Sequence, residues 1–305
     1  MNCRRAWVWI LVCALCGGAC LAQPLAPESV ALSLQMGPGT VWRFDEQVEG
    51  EGNMVRRIGL SEQRVPLTWR WAGQREWRYL GREGEAYRLQ VRTSGGEAEL
   101  LMGAADGGEQ QSYRGRLPAQ EAELLVSAAG RVQAVEWLDN APATDETLAG
   151  DLPVELDFGP LLLALELGGL PAAEVAPGAS WSLADEGARS GQARGTGRLT
   201  AWEPDGAAGR ALLSLSLGLA VRGAGTPAAG LLVDSTAMLR GRVRFDSVGG
   251  SVEQASGPLR WESVFRYPDA RGHVATLTLD LELSVYRREP AWAAEPDAAG
   301  TDVAR

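Results

Sequence analysis

Carboxylates are the most numerous side chains in this sequence that can move a proton or bind a cation, with 39 Asp and Glu against 29 basic residues. Asp45-Glu46, Asp185-Glu186, and Glu136 with Asp139 are candidates for a two-carboxylate glycan hydrolase, which needs both acids flanking one cleft. Neighbouring residues on a strand point to opposite faces, so the first two pairs fail as pairs wherever a strand holds them. Asp151, Glu155 and Asp157 lie close enough in sequence to offer oxygens to calcium, but without the dense Asp/Asn/Gly spacing of calcium loops. Other chemistry is excluded by composition. The sequence has no Lys, which removes Schiff-base and Walker-type lysine mechanisms. Its single histidine, His273, follows Ala270-Arg271-Gly272 in a turn, so a multi-histidine zinc site is impossible and a solvated turn residue is expected. Gly-x-Gly in 191–197 lacks the following helix that a nucleotide loop needs; small residues beneath a crossing strand or at a bulge are expected there. No cofactor is expected.

Aromatic residues form the second group. Trp69 and Trp71 share one face of an alternating run, and Trp77 and Tyr79 follow what reads as a short turn, Ala72-Gly73-Gln74. Such a cluster could stack on sugars or line an apolar cavity, against the competing expectation of core packing. Trp69, Trp71, Trp77 and Tyr79 are therefore the candidate ligand-binding residues.

The N-terminus has the layout of a secretory signal peptide. Arg4 and Arg5 precede an apolar run, Ala6 to Cys16, which is too short to span a bilayer. Small residues at Cys20 and Ala22 place cleavage before Gln23, giving a signal peptide over 1–22. Gly18-Ala19-Cys20 offers a second reading, a lipobox with Cys20 as the acylated residue of a lipid-anchored envelope protein. Cys3, Cys13, Cys16 and Cys20 are the only cysteines, so cleavage after Ala22 leaves none for a disulfide. It also leaves 27 basic and 39 acidic residues, a net charge of −12, which argues against nucleic acid and anionic membrane surfaces as partners. No later segment is apolar for long enough to cross a membrane as a helix.

The elements that would position these groups are strands. Leu277, Leu279, Leu281, Leu283 and Val285 alternate with Thr276, Thr278, Asp280, Glu282 and Ser284. The same period of two marks Leu213 to Val221, Leu239 to Phe245, Val65 to Trp71 and Tyr87 to Val91. Gly-rich turns separate the runs, as expected of antiparallel hairpins with one wet face. One segment differs. Pro160, the Leu-rich 161–167 and Gly168-Gly169 predict a short helix near 160–170. The tail from Ala291 is small and polar and is expected to be disordered.

Two strings recur in the same order. Pro38-Gly39-Thr40-Val41-Trp42 resembles Pro177-Gly178-Ala179-Ser180-Trp181, and Ser127-Ala128-Ala129-Gly130-Arg131-Val132 resembles Ser247-Val248-Gly249-Gly250-Ser251-Val252. A duplication would divide the chain into β modules at 23–150 and 151–290. Leu170-Pro171, Val175, Pro177-Gly178 and Trp181 also resemble a string in uncharacterised secreted bacterial β-rich proteins. That resemblance implies a fold style and an exported location, without site residues.

The expected protein is all-β: two related antiparallel modules in curved-sheet or half-barrel style, with one short helix. The expected role is non-enzymatic, an exported periplasmic or extracellular protein that binds an apolar or glycan ligand or an envelope partner. The alternatives are the carboxylate-dependent glycan hydrolase and the lipid-anchored form.

Overall fold

The computed structural model describes residues 27–58, 60–103, 110–116, 119–138, 158–183, 193–205, 208–224, 232–267 and 273–288. The signal region with Cys20, the acidic groups at 151–157 and 185–186, and the tail from Ala291 lie outside them.

The chain is all-β, with one short helix. β1 (Val41–Ile58), β2 (Ser61–Glu83), β3 (Ala86–Met102), β4 (Gln111–Arg116), β5 (Gln120–Val126) and β6 (Val132–Trp137) precede helix α1 (Gly159–Glu166). β7 (Ser180–Ser182), β8 (Arg194–Asp205), β9 (Ala208–Ala224), β10 (Leu232–Asp246), β11 (Ser251–Arg266) and β12 (Val274–Arg287) follow it. All twelve strands join one antiparallel sheet in the order β6-β5-β3-β2-β1-β12-β11-β10-β9-β8-β7, with β4 also paired to β3. The last strand thus pairs with the first, from Phe44 with Arg287 to Arg57 with Val274. β6 and β7 end the sheet without pairing to each other. Instead Arg131, in the β5–β6 turn, donates to the Ser182 carbonyl on β7 at 3.2 Å.

Alternation sets the two faces. Leu277, Leu279, Leu281, Leu283 and Val285 are all buried, as are Leu213, Leu215, Leu217 and Leu219. Each such side chain contributes about 1.5–3 kcal/mol when fully buried. The opposite face is polar, with Arg240, Arg242 and Arg244 exposed on β10. Ala72-Gly73-Gln74 is not a turn. β2 runs straight through it beside β1, and the irregularity is an extra residue on β3 at Gly95-Gly96. Trp69, Trp71, Arg75, Trp77 and Tyr79 therefore stay on one face of one strand.

α1 lies on the inner face against β9 to β12. Pro160 near its start and Gly168 and Gly169 after it, at φ 73° and 50°, bound the helix as glycine and proline chemistry dictates. Leu161, Leu162, Leu165 and Glu166 are buried, so α1 is an interior plug. No described helix is long and apolar enough to cross a membrane.

The recurring strings fall at matching steps of the strand path. Gly39 and Gly178 take φ 82° and 87° in the turns that open β1 and β7. Gly130 and Gly250, at φ 71° and 55°, lie in the hairpins after the fourth strand of each half along the sheet path. Both hairpins accept from one extended segment: Leu34 N–H bonds to the Ala128 carbonyl and Gln35 N–H to the Gly250 carbonyl, at 2.8 and 3.0 Å.

Candidate functional site

The candidate site begins with three charged residues on core positions. Glu46 shares the inner parity of β1 with Phe44 and Val48, and Arg75 shares that of β2 with Trp71 and Trp77. Glu166 ends α1. Glu46, Arg75 and Glu166 are 0%, 8% and 1% exposed. Arg75 bridges the two acids, with Nη2 3.1 Å from Glu46 Oε1 and Nη1 3.2 Å from Glu166 Oε2. The Trp77 indole N–H donates to the same Glu166 oxygen at 2.8 Å. Burial pushes the Glu166 carboxyl well above the ordinary carboxylate range; Arg75 opposes that shift and Glu46 adds to it.

This raised value has a sign that can be measured. Where the unfolded carboxyl, near 4.5, has lost its proton and the folded one keeps it, stability falls as pH rises. Glu166→Gln imitates the protonated acid and keeps an acceptor for Trp77. Urea unfolding of both proteins across pH 4 to 8 is expected to show wild type losing stability relative to the variant above pH 4.5. The slope is up to about 1.4 kcal/mol per pH unit. A pH-independent difference would contradict the assignment.

Arg75 also reaches a cavity of about 330 Å³ between α1 and the first half of the sheet. Leu163, Ala164 and Leu167 of α1 and its C-terminal cap form one wall, and Val91, Ala122 and Leu124 of β3 and β5 form another. Arg131 and Val135 lie on the β5–β6 side, while Leu183, Ala193 and Leu217 come from the other end of the sheet. The lining is mostly apolar, with the guanidinium groups of Arg75 and Arg131 as its cationic members. Such a space suits an apolar body with few polar atoms.

The four aromatics from the sequence lie together on the inner face of β2, and none lines this cavity. Trp69 packs on Phe158, 6.2 Å between ring centroids, and Phe158 packs edge-on against Trp261 at 5.3 Å. The Trp71 ring lies over Gly73 and Gly96, where a side chain would stand within 3 Å of it. Trp77 is fully buried, and half-buried Tyr79 meets Tyr87 edge-on at 6.3 Å. Trp181 and Trp202 cover Gly197 and Gly209 in the same manner as Trp71, so ring over glycine recurs in this sheet.

Among the acidic candidates, Asp45 and Glu46 do point apart. Asp45 pairs with Arg288 at 2.6 Å on the outside, while Glu46 turns inward to Glu166 through Arg75. Glu136 lies exposed on the edge strand β6, and Asp139 lies outside the described residues. A glycosidase pair has to admit a sugar between its acids; Glu46 and Glu166 face a guanidinium instead and are shut off from solvent. No group of three His, Cys, Asp or Glu residues arranged to hold a metal occurs among the described residues. His273 sits at the base of the β11–β12 hairpin, its carbonyl accepting from Tyr267 N–H at 3.1 Å. Neither Arg75 nor Glu166 stands among the residues that composition and spacing single out, although each interrupts an apolar pattern.

No protein-family model matches the chain, and no curated protein matches it. Among solved structures it is similar to lipovitellin, in a structure concerned with lipid–protein interactions, at TM-score 0.43 and 10% identity. The likeness covers 84% of this chain and 26% of the lipovitellin chain, so this chain spans about a quarter of that length. A DUF1329 family protein from Desulfovibrio piger is 10% identical at TM-score 0.13, over 78% of this chain and 83% of that one.

Proposed function

We propose that this chain is an exported cell-envelope protein that holds an apolar ligand between α1 and its curved sheet. The observation that carries this reading is the 330 Å³ cavity, bounded by Leu, Val and Ala side chains from α1, β3, β5 and β9. It lies within the range of small-molecule pockets, about 300–1,000 Å³. In this reading Trp69, Trp71, Trp77 and Tyr79 support the strand that carries Arg75, and the ligand touches α1 and β5. Export is supported by the Arg4-Arg5 pair and the apolar run behind it. Cleavage before Gln23 leaves the domain free, and acylation of Cys20 tethers it. Two ancestral copies, β1–β6 and β7–β12, are supported by the matching places of the recurrent turns.

The test is binding of N-phenyl-1-naphthylamine, whose fluorescence rises in apolar surroundings, to wild type and to Ala164→Trp. Ala164 is half-buried and borders the cavity, so the indole fills the space without displacing the core. Wild type is expected to bind saturably, and the variant at least tenfold more weakly with an unchanged unfolding midpoint. Equal binding by both proteins would place the probe elsewhere and refute the reading.

A further inference from the structure

The outer face carries a second depression, distinct from the cavity beside α1. It is a groove of about 590 Å³ over β7 to β12, and the backbone of Gly197, Gly241 and Gly257 contributes to its lining. These glycines lie on the inward parity, where a side chain would collide with the Trp181 ring, with α1 or with the backbone of the neighbouring strand. A Cβ at Gly241 would lie 2.8 Å from the Leu165 side chain of α1, and one at Gly257 would lie 2.1 Å from the Arg240 carbonyl.

Pairing register places cations and hydroxyls alternately across this hollow. Ser180, Arg198, Ser214, Arg242 and Ser256 stand opposite one another on successive strands β7 to β11. The neighbouring row runs Thr196, Ser216, Arg240. Arg198 and Arg242 are two strands apart, about 10 Å, and Arg240 is about 7 Å from Arg242 along β10. Nearby arginines are committed. Arg244 pairs with Glu203 and Glu253 at 3.5 and 3.2 Å, and Arg260 with Glu262 and Asp280 at 2.9 and 3.6 Å. Arg240 and Arg242 make no ion pair among the described residues, although the chain has a net charge of −10. Glu282 is the one carboxylate among the described lining residues.

We propose that this groove binds a small soluble phosphate ester of a polyol or sugar. Guanidinium groups match phosphate oxygens in a two-pronged geometry that few other side chains provide. The serine and threonine hydroxyls and Glu282 supply donors and acceptors for the polyol hydroxyls. A lipid bilayer is the less suitable source of the same phosphate. Glu49, Glu262 and Asp280 share the outer face, and an anionic membrane would repel them together with the net charge.

The probe is glycerol 3-phosphate, titrated into isotopically labelled protein at low ionic strength and followed by amide chemical shifts. Glycerol and phosphatidylglycerol vesicles serve as separate arms. Saturable shifts at residues 214–216 and 240–242 are expected with glycerol 3-phosphate and not with glycerol. Arg240→Gln with Arg242→Gln is expected to weaken binding at least tenfold. Arg244→Gln, on the same strand but ion-paired, is expected to change it less than twofold. The two substituted side chains are exposed, and an unchanged spectrum away from the groove confirms that the variant is folded. Absence of shifts, equal response to glycerol, equal binding by the double variant, or binding to vesicles alone overturns the proposal. None of these outcomes bears on the cavity at α1, which Ala164→Trp tests separately.

Discussion

Replacing Arg75 with Met is expected to destabilise the protein by about 3–5 kcal/mol, the cost of stripping the partner from buried charge. Arg75 is the bridge between Glu46 and Glu166, with 3.1 and 3.2 Å contacts to the two carboxyl groups. Without it both acids remain buried with no opposite charge in the cluster. The loss is a large share of the roughly 5–15 kcal/mol that holds a typical domain together. It is also expected to shrink as pH falls, because the Glu166 carboxyl, which burial holds well above the ordinary range, no longer needs a cation once protonated. A triple variant, Glu46→Met, Arg75→Met and Glu166→Gln, separates the bridge from the packing. Its buried positions carry no charge, and the amide introduced by Glu166→Gln still accepts from Trp77. It is expected to regain most of the stability lost by the single variant, since buried ion clusters are replaceable by well-packed neutral groups. Urea unfolding midpoints and slopes of the three proteins decide the matter. A single variant as stable as wild type would show that the bridge contributes nothing.

That cluster was legible in the sequence as a set of violations. Period-two alternation puts Glu46 on the parity of Trp42, Phe44 and Val48, and Arg75 on that of Trp71 and Trp77. Glu166 interrupts a run of Leu. A charge on a core parity has to be paired, so three such residues imply a buried ionic contact. Alternation correctly separated Asp45 from Glu46. It gave no hint of Glu166 as partner, because a contact between residues so far apart in the chain depends on where α1 docks. Glycine misleads in two places. Gly73 suggested a turn inside β2, yet it is a strand residue roofed by Trp71. Gly195 and Gly197 suggest small residues under a crossing strand or a bulge, yet both lie in regular β8–β9 pairing: Gly195 would place a Cβ 1.8 Å from the Ser216 carbonyl of the neighbouring strand, and the Trp181 ring covers Gly197. The strand faces and α1 were visible because they depend on local period. The pairing of β12 with β1, which makes one sheet of the two meanders, depends on their docking and leaves no local mark. The cavity depends on the same docking and was equally hidden.

The sheet's central strand carries the remaining large effect. Gly50 and Gly52 occupy inward positions of β1, between β2 and β12, where the two meanders meet. A Cβ at Gly50 would lie 2.2 Å from the Asp280 carbonyl oxygen, and one at Gly52 2.0 Å from that of Thr278. The atoms struck are main chain of β12, which cannot rotate aside as a side chain can. Bulky neighbours fill the inner face beside the missing side chains: Trp69 and Leu281 flank Gly50, and Leu67 and Leu279 flank Gly52. Glycine here lets adjacent strands approach closely as the sheet bends around α1. Gly50→Ala with Gly52→Ala is expected to cost at least about 3 kcal/mol, the upper end of ordinary overpacking. Gly37→Ala makes the same chemical change where a Cβ meets nothing within 4 Å. It is expected to leave stability unchanged or raise it by up to about 1 kcal/mol, through the stiffer unfolded chain. Urea unfolding of the two variants therefore distinguishes curvature from generic loss of glycine. If the double alanine variant is as stable as wild type, close approach at β1 and β12 is not what these glycines provide. Flattening the sheet there would also pull β2 and Arg75 away from α1, so the same variant is expected to bind the apolar probe more weakly.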